Sequence, residues 1–151
     1  MTMTVPGKSI QPLRCIVSGS GKVAQDHPIF QKPAGPIHLL ITGESRDIML
    51  PGATIHHDTL AGFLETLSGS LGVRHLHCEG GGTLIRSLAE MEAIDEIHLT
   101  LAGHTIFGGT DAPTATGTIG NFLPRSMKFS LTNCEPRPDL GECFLSYQVV
   151  Q

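Results

Sequence analysis

Three consecutive glycines in residues 79–84 (Glu-Gly-Gly-Gly-Thr-Leu) are the part of the sequence best suited to chemistry. Without a Cβ atom, a glycine backbone can approach a ligand closely and adopt dihedral angles that other residues avoid. If a helix begins here, its first N–H groups lack partners inside the helix and, with the helix dipole, form a site for an anion such as a pyrophosphate. The spacing matches neither the Gly-x-Gly-x-x-Gly fingerprint nor a P-loop. The alternative is a tight corner that binds nothing.

Neither the histidines nor the cysteines show a spacing typical of a metal or redox site. His75 and His77 alternate with Glu79, so on a strand all three would point to one face. Neighbouring side chains on that face are about 6.6–6.8 Å apart, which is wide for ligands of one ion, and we predict no metal site. The four cysteines contain no Cys-x-x-Cys pair, and we predict that all are reduced.

Runs of apolar residues and their periodicity predict the elements that must position the glycines. Strands are expected over residues 13–17, 37–42, 53–55, 73–78, 97–101, 129–132 and 144–149. One helix is predicted to begin at the N-cap Asp58, because Leu60, Phe63, Leu64 and Leu67 follow with helical spacing. A second helix is predicted to begin at Thr83.

The alternation of strands and helices favours an α/β fold with a mostly parallel sheet and an antiparallel C-terminal hairpin. We expect residues 13–17, 37–42, 73–78 and 97–101 to lie in one sheet. The length of 151 residues suits one domain, which we place at residues 11–151 after a loose leader over residues 1–10.

Composition excludes several classes of partner. The formal net charge is −4, and no cluster of lysine and arginine could follow a phosphate backbone, so we expect no nucleic acid. No apolar stretch is long enough to cross a membrane, and no signal peptide is recognisable, so we expect a cytoplasmic protein with no membrane partner.

Four motifs in order resemble the signature of the RibD C-terminal family. They are residues 11–18 (QPLRCIVS), 71–84 (LGVRHLHCEGGGTL), 94–99 (IDEIHL) and 106–109 (IFGG). The family comprises pyrimidine reductases of riboflavin biosynthesis that share the dihydrofolate reductase fold and use NADPH. The resemblance implies reduction of the ribosyl side chain of a 5-amino-6-(5-phosphoribosylamino)pyrimidine to a ribitylamino group. It also implies a cis peptide bond between Gly80 and Gly81.

The resemblance also implies which residues would bind the cofactor and the substrate. Glu79 would contact the pyrimidine substrate, whereas its alternative role is to cap the next helix. The cofactor would contact Ser18, Gly19, Ser20, Thr42, Gly81, Gly82, Thr83, Leu84, Ile85, Arg86 and Ser87. Lys22 could neutralise a 2′-phosphate, or it could simply be a solvated surface lysine.

Part of the family pattern has no counterpart in these residues. Family members begin with a strand carrying an Ala-x-Ser-x-Asp-Gly-like segment, followed by a helix and a second strand, and residues 1–10 do not match it. His104 stands where the family usually has proline. We therefore expect a partial reductase domain without the N-terminal strands, and we name no catalytic residue. The alternative is a catalytically incompetent nucleotide-binding or interaction module. Relatives pair through their sheets, so a homodimer is expected.

Overall fold

The computed structural model divides the chain into two units, residues 1–76 and 77–151. It describes residues 11–31, 34–44, 48–103 and 127–150. The first unit contains strands β1 (Arg14–Ser18), β2 (Ile37–Ile41) and β3 (Ala53–His57) and helices α1 (Pro28–Gln31) and α2 (Leu60–Ser68). The second contains helix α3 (Gly82–Glu90) and strands β4 (Glu96–Ala102), β5 (Phe129–Arg137) and β6 (Glu142–Val149).

The first unit is built on a parallel sheet with the strand order β1-β2-β3. All residues of the central strand β2 are buried. Leu39 and Ile41 pack with Leu50 on one face of the sheet, and Leu40 packs on the other face with Phe63 and Leu67 of α2. Because both faces are covered, β2 is apolar at nearly every position instead of alternating with polar residues.

Helix α2 begins one residue later than the sequence predicts. Thr59 is the N-cap, and its hydroxyl oxygen accepts a hydrogen bond of 3.1 Å from the N–H of Gly62. Asp58, the predicted cap, accepts instead from the N–H of Thr59 at 2.7 Å. The helix ends at Gly69, whose N–H donates to the carbonyl of Glu65 at 2.8 Å.

The second unit contains an antiparallel sheet with the order β4-β6-β5. Its register aligns Ile97 with Tyr147 and Leu99 with Leu145, so these apolar side chains share one face. Pro136 lies on β5, an edge strand of this sheet, where a missing N–H does not interrupt the pairing with a further strand. The predicted C-terminal hairpin is therefore present.

Two predictions about the sheet are wrong, although the mixed α/β class is confirmed. Residues 73–78 form no strand, because none of them pairs with either sheet in the described part of the chain. Val73 instead donates its N–H to the carbonyl of Leu67 at 2.8 Å, just beyond α2. Residues 97–101 belong to the antiparallel sheet and not to the parallel one. The leader over residues 1–10 and His104 lie outside the described residues.

Candidate functional site

The glycine run leads directly into the N-terminus of α3. Gly81 is the N-cap, and its carbonyl oxygen accepts from the N–H groups of Leu84 at 2.9 Å and Ile85 at 3.1 Å. Within the described residues, the N–H groups of Gly82 and Thr83 donate to no other group. Two backbone donors therefore remain available at the positive end of the helix dipole, which is the arrangement that binds an anion.

The backbone of the glycine run also leaves room for a ligand. A Cβ atom built at Gly81 would meet no atom of the described residues within 4 Å, its chain neighbours apart. Gly80 has a φ of +88°, a conformation that favours glycine, and the peptide bond between Gly80 and Gly81 is cis, as the family resemblance implies. Among the described residues, apart from its chain neighbours, no atom therefore fills the space where a Gly81 side chain would lie.

The remaining predicted cofactor residues of α3 are used within the helix. Arg86 donates from Nε to the carboxylate of Glu90 at 3.0 Å, and Ser87 donates its hydroxyl to the carbonyl of Thr83 at 3.1 Å. The N–H groups of Leu84 and Ile85 already donate to the carbonyl oxygen of Gly81. Among residues 81–87, the backbone N–H groups left for an anion are thus those of Gly82 and Thr83.

Glu79 lies just before this helix with its carboxylate exposed. Its Oε1 atom is 4.0 Å from Nε2 of His77, and the two side chains are 48% and 60% exposed. The carboxylate can accept hydrogen bonds from a ligand that carries N–H or O–H groups. No cluster of three side chains able to hold a metal ion occurs in the described part of the chain.

A second group of predicted residues lies at the carboxyl ends of β1 and β2. The N–H of Thr42 donates to the carbonyl of Ser18 at 3.2 Å, and the hydroxyl oxygen of Ser18 accepts from the N–H of Gly21 at 3.0 Å. The hydroxyl oxygen of Ser20 accepts from the N–H of Lys22 at 3.3 Å. Ligands of α/β sheets commonly bind beyond the carboxyl ends of parallel strands, and these residues occupy that position.

A close approach between the two loops fixes the shape of this second group. A Cβ atom at Gly43 would lie 2.1 Å from the carbonyl oxygen of Gly19, so only glycine permits the contact. The structure therefore brings together Ser18, Gly19 and Thr42, three of the residues predicted to contact the cofactor. Thr42 and Lys22 are exposed.

The two groups of predicted residues belong to different units of the chain. Ser18, Gly19, Ser20 and Thr42 lie in residues 1–76, whereas Glu79 and residues 81–87 lie in residues 77–151. Each group is therefore described on its own. The family motif at residues 106–109 lies outside the described residues.

One polar contact in the core was not predicted. His38 on β2 is 7% exposed, and its Nδ1 atom lies 2.9 Å from Nε2 of His56 on β3. The ring of His56 also contacts Phe63 of α2, with ring centroids 5.0 Å apart. Burial lowers the pKa of His38 below its ordinary value, and the charge of His56 lowers it further. In the sequence, His38 only interrupts an apolar run, and nothing there reveals the strand register that pairs it with His56.

Solved structures similar to this one include a RibD, a pyrimidine reductase-like protein and a riboflavin biosynthesis reductase. RibD of Acinetobacter baumannii (form 2) matches with a TM-score of 0.74 and 20% identity over 98% of this chain and 42% of that one. A pyrimidine reductase-like protein of Corynebacterium diphtheriae matches with a TM-score of 0.68 and 16% identity, covering 93% of this chain and 62% of that one. The riboflavin biosynthesis reductase of Saccharomyces cerevisiae gives 0.62 and 16%, covering 93% and 70%.

These structural similarities support the fold alone. The family is decided by a match between this sequence and a family model. The chain spans less than half the length of the A. baumannii protein. No curated protein sequence matches it. No helix in the described ranges has the length and apolar character needed to cross a membrane. The family model named RibD C-terminal domain matches residues 2–138, which is most of the chain. The chain therefore belongs to the RibD C-terminal domain family.

Proposed function

We propose that this chain acts as an NADPH-dependent reductase of riboflavin biosynthesis. Its substrate would be a 5-amino-6-(5-phosphoribosylamino)pyrimidine, whose ribosyl side chain is reduced to a ribitylamino group. The observation that carries the proposal is the N-terminus of α3, where the N–H groups of Gly82 and Thr83 have no acceptor among the described residues. Membership of the RibD C-terminal domain family says which anionic ligand to test there.

The residues at this helix fit a cofactor phosphate. Two N–H donors and a helix dipole attract an anion, and the open space at Gly81 lets it approach the backbone. We assign the phosphates to Gly82 and Thr83. The adenosine end is assigned to the Ser18–Thr42 group, where the hydroxyls of Ser18, Ser20 and Thr42 can donate hydrogen bonds to ribose or phosphate oxygens.

Glu79 is assigned to the substrate. An aminopyrimidine and a sugar both present N–H and O–H donors, and an exposed carboxylate is an acceptor that suits them. NADPH, when bound, supplies the hydride that reduces the sugar carbon. The chain's own residues then have to hold the two molecules in the correct orientation, which accounts for much of the catalysis in such enzymes.

The experiment is an NADPH titration of the full chain by calorimetry, followed by an assay of NADPH oxidation that depends on the pyrimidine. Binding together with pyrimidine-dependent oxidation supports the proposal. Binding without turnover would favour the alternative of a catalytically incompetent nucleotide-binding module. If millimolar NADPH does not bind, both are refuted and an interaction module remains.

The substrate role of Glu79 has its own test in the isosteric variant Glu79→Gln. Hydrogen bonds to a charged group contribute about 1.5–3 kcal/mol, so we expect the KM for the pyrimidine to rise at least about tenfold. The Kd for NADPH should stay unchanged. An unchanged KM would remove Glu79 from the substrate site.

We further propose that the chain is a cytoplasmic homodimer. Its four cysteines carry free thiols, which suits a reducing compartment. Large apolar side chains lie at its surface, among them Met49 at 85% exposure and Leu76 at 49%, which a second copy could cover. Sedimentation equilibrium at micromolar concentration tests the dimer, and a monomer mass at all concentrations would refute it.

A further inference from the structure

Two of the cysteines lie against each other on the antiparallel sheet. The Sγ atoms of Cys134 on β5 and Cys143 on β6 are 3.7 Å apart. The register pairs Cys134 with Leu145 and Cys143 with Pro136, so the cysteines are diagonal neighbours on adjacent strands. Diagonal neighbours on one face are close enough for side chains to touch, and here the two sulfurs do.

A β-bulge is what places Cys134 on this face. Cys134 follows Leu131 by an odd number of residues, so strict alternation would put the two side chains on opposite faces. The register shifts between Leu131 and Asn133, and Leu131 and Cys134 then pair with Tyr147 and Leu145, which share a face. The extra residue therefore turns Cys134 towards Cys143.

Little movement is needed to join the two sulfurs. A disulfide has an S–S distance of about 2.03–2.05 Å, so the sulfurs must approach each other by about 1.7 Å. We expect rotation about the Cα–Cβ bonds, with any small adjustment of the two strands that the disulfide geometry requires, to bring the sulfurs together. Cys134 is exposed and Cys143 is half-buried, so an oxidant in solution reaches Cys134 first.

We propose that Cys134 and Cys143 are a reversible oxidation site that a hydroperoxide converts into an intramolecular disulfide. The thiolate of Cys134 attacks one oxygen of hydrogen peroxide, the O–O bond breaks, and the leaving hydroxide takes up a proton to become water. Cys143 then attacks the sulfenic acid of Cys134, so that the S–S bond forms, the S–O bond breaks and a second water leaves. Two thiols and one peroxide thus give one disulfide and two waters, and a dithiol reductant reverses the change.

The surroundings of the other thiols agree with these roles. Burial raises the pKa of Cys143, as does its hydrogen bond with Cys134, and Cys143 is also the less exposed of the two thiols. Burial also raises the pKa of Cys15, which packs in the core between the parallel sheet and α2. Neither Cys15 nor Cys78 contacts another cysteine in the described part of the chain.

The test oxidises the full, reduced chain with one equivalent of hydrogen peroxide. Free thiols should fall from four to two, and a dithiol should restore all four. Cleavage after Glu142 separates Cys134 from Cys143, so non-reducing mass spectrometry should show these two peptides linked to each other. A disulfide between two chains, or equal loss of thiol at all four cysteines, would overturn the proposal.

Two variants test whether Cys143 is the thiol that reacts with the sulfenic acid of Cys134. Cys143→Ser removes the second thiol, so peroxide should leave a sulfenic acid on Cys134 that dimedone labels, whereas the unmodified chain should label at least about tenfold less. Cys78→Ser is the matched control and should form the disulfide as the parent chain does. Equal dimedone labelling of Cys134 with and without Cys143 would refute the pairing.

Discussion

The substitution Gly81→Ala should weaken NADPH binding at least about tenfold without unfolding the chain. Gly81 has φ −65° and ψ 179°, which any residue can adopt, and an added Cβ would meet no atom of the described residues within 4 Å, its chain neighbours apart. Because the side chain of an N-cap residue lies next to the N–H groups of the first helical turn, we expect the new methyl group to crowd a ligand bound to those groups. It should therefore disturb a ligand bound there more than it disturbs the protein.

The effect on stability is a balance of two small contributions. Replacing glycine by alanine at a compatible position stabilises by about 0.4–1 kcal/mol, because the unfolded chain loses freedom. Alanine is a poorer N-cap than glycine, which costs roughly the same amount. We expect the free energy of unfolding to change by no more than about 0.5 kcal/mol, so the Tm should shift by only about one or two degrees. If one hydrogen bond to a phosphate is lost, about 1.5–3 kcal/mol of binding is lost, and Kd rises at least about tenfold.

The assay combines calorimetric titration of NADPH with urea unfolding of the same preparations. Gly52→Ala is the matched control, since it also adds a methyl group in open space, but at a φ of +81°. That variant should lose about 1 kcal/mol of stability and keep its NADPH affinity. Unchanged NADPH affinity in Gly81→Ala would refute the assignment of the phosphates to the α3 N-terminus.

Three further predictions concern the first unit. Leu40→Ala should cost about 2–5 kcal/mol of unfolding free energy, because Leu40 is fully buried in the core. Thr59→Ala should cost about 1 kcal/mol, because the N–H of Gly62 loses its capping acceptor. His38 has a pKa below its ordinary value of about 6.5, so between these two pKa values the folded chain binds fewer protons than the unfolded chain. The free energy of unfolding should therefore fall as the pH drops from about 6.5 to that lower pKa. In His38→Leu this dependence on pH should become weaker.

Urea unfolding measures all three, and each has a control on the protein surface. Leu101→Ala, at a side chain that is 53% exposed, should change stability by less than about 0.5 kcal/mol. Ser68→Ala should leave the N-terminus of α2 unaffected, and His57→Gln should keep the pH slope. A Leu40→Ala cost as small as that of Leu101→Ala, or equal losses at Thr59 and Ser68, would contradict the packing and capping described. If the free energy of unfolding depends on pH as strongly in His38→Leu as in the parent chain, a group other than His38 causes that dependence.

Sequence patterns predicted those elements of the fold whose information is local. The apolar run of β2, the helical spacing of Leu60 to Leu67 and the C-terminal hairpin all follow from neighbouring residues. Residues 73–78 have the composition of a strand but no partner in the described chain, and a strand exists only through hydrogen bonds to another strand. Helix α1, at Pro28–Gln31, is too short to show a periodicity.

For the candidate site as well, the sequence predicted only the features that neighbouring residues determine. The glycine run predicted where α3 begins to within one residue, whereas the backbone contact between Ser18 and Thr42 is known only from the structure. The contact of His38 with His56 depends on the register of two strands, and that of Cys134 with Cys143 depends on a bulge. A strand register and a β-bulge both depend on how two strands pair, which a short stretch of sequence does not determine, so both contacts could be found only in the structure.

The strand order β4-β6-β5 has a consequence for how the second unit is made on the ribosome. The central strand β6 is the last of the three in the chain, so β4 and β5 have no partner in this sheet until residues 142–149 have been synthesised. At about 5–20 residues per second, β4 waits roughly 2–9 s for its partner strand, with Ile97, Leu99 and Leu101 unpaired in this sheet. A nascent chain stalled in this interval would leave an apolar strand without its partner, and such a strand can pair with other chains.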